Sequence, residues 1–101
     1  MDEPRPIFHL AVRAHWDAAV AAGEYRRSTV DRTLEEEGFI HCSFAEQVQG
    51  TAERYYGDVE DVVLLTIDPA KIGAEVRVEN GFPHIYGPLP VDAVVEARPY
   101  P

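Results

Sequence analysis

The run Asp61-Val62-Val63-Leu64-Leu65-Thr66-Ile67 is the most apolar stretch of the chain, and Asp68-Pro69 stops it. A short, continuous, β-branched run of this kind reads as a buried central strand. The remaining elements have to cover it. Ile7-Phe8-His9-Leu10-Ala11 reads as a first strand, with Ile7, His9 and Ala11 on one face and Phe8 and Leu10 on the other. The alanine-rich segment 14–22 reads as a helix with Trp16, Ala19 and Val20 on one side and Gly23 as its C-terminal cap. Glu24 to Arg27 is a loop carrying Tyr25.

Segment 28–37 reads as a short helix capped by Ser28-Thr29, with Leu34 as its apolar contact. In Gly38 to Ser43 the alternation sets Phe39, His41 and Ser43 against Ile40 and Cys42. Ser43, three residues before Glu46, has the spacing of a capping box for a helix over about 44–56, with a stripe of Phe44, Val48, Thr51, Ala52 and Tyr55 and a stop at Gly57. Ala70 to Gly73 reads as a single turn. Glu75 to Glu79 alternates as a strand with Val76 and Val78 inward, and Asn80-Gly81 is a turn. Phe82 to Pro88 is a loop or short strand, and Val91 to Arg98 a last strand with Val91, Ala93, Val95 and Ala97 on one face. Helices early and strands late give an α+β class. Residues 1–6, with Pro4 and Pro6, read as an extended N-terminal arm, and 7–101 as one domain.

The formal charge is −9, with 18 acids against 9 bases and a single lysine, Lys71. Nucleic-acid binding through a basic surface is not expected of such a chain. A small anionic ligand is compatible with it if arginines converge locally, the candidates being Arg13, Arg26, Arg27 and Arg77. No apolar run approaches the roughly 18 residues of a membrane span, so no membrane partner is expected. The acidic, proline-containing N-terminus has no signal-peptide pattern. Cys42, the single cysteine, admits no intrachain disulfide. The expected location is cytoplasmic.

The chemistry-bearing residues are few. His9, His41 and His84 each sit among large apolar residues in strand-like or tight-turn contexts, whereas His15 begins a helix. Each is either a buried imidazole bonded to the backbone or part of one cleft. Their spacing is no metal-ligand pattern, so no metal is expected. Cys42 points away from His41, as an inert core thiol does. Ser43 beside His41 reads as a helix cap rather than a nucleophile, since no nucleophile elbow surrounds it. Glu35-Glu36-Glu37 reads as solvated surface, and Glu79 as an exposed partner of Arg77.

Taken together, Ile7-Phe8-His9-Leu10-Ala11, Trp16, Gly23-Glu24-Tyr25, Glu37 to Ser43, Val63 to Pro69 and Phe82 to Leu89 resemble the bacterial family called domain of unknown function 952, over about residues 7–98. The resemblance implies a fold of the ADP-ribosyltransferase type, a split and mostly antiparallel β-sheet with two or three helices, distantly similar to tRNA 2′-phosphotransferases. It implies a cleft for NAD. His9 matches the first-strand position of such folds, His41 or Ser43 the second, and His84 or Tyr86 stands in the third region, where a glutamate is otherwise used. The resulting expectation is a protein that binds NAD or an ADP-ribose-like ligand, and an ADP-ribosyl- or phospho-transfer enzyme. His9, His41 and His84 are its candidate catalytic residues; Ser43, Tyr86, Tyr25 and Arg77 are its candidate ligand-binding residues. The alternatives are a non-catalytic module binding a small molecule or peptide at Tyr25, Phe82 and Tyr86, and a metal-dependent hydrolase.

Overall fold

The structure, a computed structural model, describes residues 5–101, so the expected arm over 1–6 falls largely outside the described residues. The apolar run forms β6 (Val62–Ile67), flanked by antiparallel β1 (Ile7–Val12) on one side and β10 (Val94–Tyr100) on the other. Alternation sends Val63, Leu65 and Ile67 to one face of this sheet, with Ile7 and Ala11 of β1. Val62 and Leu64 go to the other, with Leu10. Both faces are covered. Trp16 and Ala19 of α1 (Arg13–Ala22) lie on the first. Val48 of α3 (Val48–Tyr55) and the adjoining Tyr56 lie on the second. A strand buried on both faces is what the uninterrupted apolar run demands. Gly23 closes α1, its amide donating to the Ala19 carbonyl at 2.7 Å, while Val20 points to solvent, 53% exposed, rather than into the core.

Segment 28–37 is a hairpin and not one helix. A two-residue strand β2 (Glu24–Tyr25) is followed by β3 (Arg27–Thr29), which turns at Val30-Asp31 into β4 (Arg32–Thr33). Only Leu34–Glu37 is helical (α2). Thr33, not Ser28 or Thr29, is the cap: its Oγ1 accepts from the Glu36 amide at 3.2 Å, and Glu36 Oε1 accepts from the Thr33 amide at 2.9 Å. Gly38, at φ 88°, then ends α2 in a left-handed conformation that favours glycine.

The second sheet is β5 (Ile40–His41), β8 (Phe82–Tyr86) and β7 (Glu75–Glu79), with β8 in the middle and all pairs antiparallel. Asn80 and Gly81, at φ 54° and 84°, make the β7–β8 turn, so 82–86 is a central strand and not a loop. Ile40, Ile85 and Val76 face the core, but Val78, expected inward, is 61% exposed on this edge strand. Beyond β8 the chain has no room for a side chain at Gly87, where a Cβ would meet the Ala74 Cβ at 2.7 Å. It then forms β9 (Leu89–Pro90) against β2 and a helical turn at Val91–Ala93 before β10. The β10 register shifts between Val94 and Glu96, so Val95, expected on one face with Val91 and Ala93, is 57% exposed while Ala93 is buried.

The architecture is therefore α+β, with two three-stranded antiparallel sheets and three α-helices among the described residues. Phe8 and Ser43 exchange two backbone hydrogen bonds of 2.8 Å, and this bridge joins the sheets where β1 passes the end of β5.

Candidate functional site

One face of the second sheet gathers histidine, aromatic and charged side chains in place of aliphatic ones. Register places His41 opposite His84, and His84 opposite Arg77. Alternation then puts Phe82, His84 and Tyr86 on the same side as Glu75, Arg77 and Glu79. The ring of Phe39 stacks on His84 with centroids 4.3 Å apart, and His41 lies 5.4 Å from His84 and 5.3 Å from Phe82. Helix α3 closes this face from one side, with Tyr55 edge-on to His41 at 6.2 Å.

Two depressions open here. The first, about 290 Å³, is lined by His41, Gln47, Gly50, Thr51, Arg54, Tyr55 and Phe82, together with Glu46. The second, about 410 Å³, is lined by Ser28, Asp31, Arg32, Glu37, Phe39, His41, Tyr55 and Thr29. His41 and Tyr55 belong to both, so the depressions adjoin and His41 stands at their junction. Burial, and secondarily the neighbouring His84, lowers the pKa of His41 below the ordinary imidazole value. At neutral pH it is an uncharged ring able to accept or donate one proton.

The other expected site residues have defined places. His9 is 3% exposed and both its nitrogens are engaged inside the protein. Nδ1 lies 2.7 Å from the His41 carbonyl oxygen, which can only accept, so Nδ1 carries the proton. Nε2, 2.8 Å from the Tyr25 hydroxyl, then accepts from it. Burial holds His9 neutral, its pKa lowered to about 4. Tyr25, 2% exposed, is its partner in the core and forms no part of the open cleft. Burial pushes the pKa of that hydroxyl up, as it does the thiol of Cys42. Ser43 is not a cap. Its Oγ is buried against Thr51 Oγ1 at 3.0 Å, and the side chain that reaches back to the helix start is Gln47, which accepts from the Phe44 amide at 2.8 Å. The same carboxamide donates to the Gly81 carbonyl and so ties α3 to the β7–β8 turn.

Glu79 is a residue the sequence reading misplaced. Arg77 pairs with Glu75 at 2.9 Å and spreads its guanidinium over the Tyr86 ring at 4.8 Å. Glu79 is left to accept from His84 Nδ1 at 2.8 Å and from the Tyr86 hydroxyl. Those bonds, Tyr86 first, hold its carboxyl below the usual range. Of the four arginines named as anion candidates, Arg13 pairs with Asp61, Arg26 with Glu24 and Glu35, and Arg77 with Glu75, while Arg27 lines a separate hollow with His15 and Ala19 and not this cleft. Arg54 was overlooked. It lines the first depression and has no carboxylate within ion-pair distance among the described residues. Its signal was in the sequence: Gln47, Gly50, Thr51, Arg54 and Tyr55 follow helical spacing on one face. Among the described residues, no group of three His, Cys, Asp or Glu side chains is placed to hold a metal ion, and no helix is long and apolar enough to cross a membrane.

Fold and cleft together define a small α+β protein whose second antiparallel sheet, helix α3 and β3–β4 hairpin frame an aromatic cleft with His41 at its centre. The chain belongs to the family described as protein of unknown function DUF952, whose model matches residues 10–97. It is similar to the crystal structure of protein CC0527 from Caulobacter crescentus, with 36% identity, a TM-score of 0.78, and coverage of 93% of this chain and 84% of that one. The solution NMR structure of the same protein gives 38% identity, a TM-score of 0.72, and 91% and 81% coverage. No protein of curated description matches the chain.

Proposed function

We propose that this protein binds a nucleotide-type ligand of the NAD or ADP-ribose class across the cleft at His41. The observation that carries this reading is the pair of adjoining depressions sharing His41 and Tyr55. An elongated ligand with an anionic centre suits such a site. Arg54 offers a positive charge to a phosphate, while Tyr55, Phe82 and Phe39 offer flat faces to rings. Of the three acids lining the depressions, two are partly offset, Glu46 by Arg5 at 2.9 Å and Glu37 by Arg32 at 3.9 Å, and the third, Asp31, lies in the second depression, away from Arg54.

The ADP-ribosyltransferase-type fold that the family resemblance implies would add a chemistry. Departure of nicotinamide leaves an oxocarbenium-like sugar, which the site orients and stabilises until the oxygen of a water or hydroxyl acceptor bonds to the same carbon and gives up its proton. His41 is the histidine that reaches both depressions and is the candidate to contact the reacting sugar. His84, 8% exposed and held by Glu79, lies beside it across the strand pair, and His9 fixes the His41 backbone. A non-catalytic binding module is the second reading. It is favoured by the complete engagement of His9 and by the commitment of Arg77 and Tyr86 to partners within the protein.

Calorimetric titration with NAD and with ADP-ribose tests the binding. Binding to the wild type, weakened about tenfold in Arg54→Ala as loss of a charge-assisted contact implies, supports it. Absence of heat at millimolar ligand, with a folded protein, refutes it. Release of nicotinamide from bound NAD by the wild type but not by His41→Ala separates the enzyme from the module.

A further inference from the structure

The second depression contains an anomaly that the ligand reading alone does not use. Ser28, on β3, is 1% exposed, and its Oγ has no hydrogen-bond partner. Buried hydroxyls normally find one, because leaving one unmatched is costly. Ser28 belongs to the lining of the second depression, with Phe39, Tyr55 and His41. The surrounding groups are of mixed sign: Asp31 and Glu37 are acidic, and the one cation, Arg32, lies 3.9 Å from Glu37. Such a lining repels a phosphate. It matches a neutral ring bearing several hydroxyls, since carboxylates accept from hydroxyls, a serine both gives and accepts, and aromatic faces cover the apolar side of a sugar.

We propose that this depression is the sugar subsite of the cleft, taking a ribose-type ring whose hydroxyl completes the hydrogen bonding of Ser28. The inference rests on the ligand class proposed above and gives that ligand a direction. The phosphates lie toward Arg54 in the first depression and the sugar toward Ser28 in the second. The C5′ carbon that joins the sugar to its phosphate then lies beside His41, where the two depressions meet.

Calorimetry of the wild type and Ser28→Ala with ADP-ribose, ribose 5-phosphate and inorganic pyrophosphate tests this. The variant removes an unmatched buried hydroxyl, so its urea midpoint should equal or exceed that of the wild type. The expected result is about tenfold weaker binding of both ribosyl ligands, the effect of a lost buried hydrogen bond, with pyrophosphate unaffected. If Ser28→Ala binds ADP-ribose as tightly as the wild type, or loses pyrophosphate by the same factor, the sugar subsite is wrong while the ligand class stands. If the wild type binds neither ribosyl ligand, the ligand class fails and the subsite with it.

Discussion

The Nδ1–H of His9 donates to the carbonyl oxygen of His41 at 2.7 Å, so one histidine, itself sealed in the core, fixes the backbone of another that faces the cleft. This contact crosses from the first sheet to the second, beside the Phe8–Ser43 bridge. It gives His9 a reason to be histidine: a neutral imidazole offers a donor to His41 and an acceptor to Tyr25 at once.

That role predicts a pH dependence of stability. Burial lowers the pKa of His9 from 6.5 to about 4, so between those values the unfolded chain binds the proton that the folded protein refuses. The contribution is fully present above pH 6.5 and is lost as pH falls toward 4, amounting to roughly 2–4 kcal/mol. His41, also lowered, adds a smaller effect of the same sign. Urea unfolding at pH 7.5 and 4.5 should show this loss in the wild type. His9→Asn, which keeps an N–H donor but does not titrate, should flatten the difference.

Ser43 and Thr51 should behave as a pair. Their hydroxyls meet at 3.0 Å in a buried place, so Ser43→Ala strands the Thr51 oxygen and should cost about 1–3 kcal/mol. Adding Thr51→Val should recover part of that loss, because both polar groups are then gone. If Ser43 were instead a cap, the second substitution would bring no recovery.

The two cleft histidines should sense each other. His41 titrates below the ordinary imidazole value through burial first and His84 second. Replacing His84 by Gln removes the second cause and leaves the first. The His41 pKa, followed by ring-proton NMR, should therefore rise part of the way toward normal. An unchanged or lower value would show that the rings do not couple across the strand pair.

Sequence patterns resolved the parts of the fold that local physics decides. The unbroken apolar run of β6, the two-faced β1, the Gly23 stop and the Asn80-Gly81 turn each follow from residue type and spacing. They failed where two local readings competed. Thr33 and Ser43 both stand three residues before a glutamate, yet only Thr33 caps, because Ser43 is drawn into the core by Thr51 and Gln47 takes over the helix start. Glu79 and Glu75 are equally spaced from Arg77, and only the side chains of His84 and Tyr86 on the neighbouring strand decide that Glu75 pairs with Arg77 while Glu79 bonds to them. The meeting of His41 with His84 depends on which strands pair, and no spacing along the chain encodes that.

The measurement that bears most directly on the whole account is an NMR titration of the histidine rings with ADP-ribose. His41, at the junction of the two depressions, should shift strongly and saturably, while His9, bonded at both nitrogens within the core, should move little. A His41 signal unmoved by millimolar ADP-ribose would contradict the assignment of this cleft as a nucleotide site.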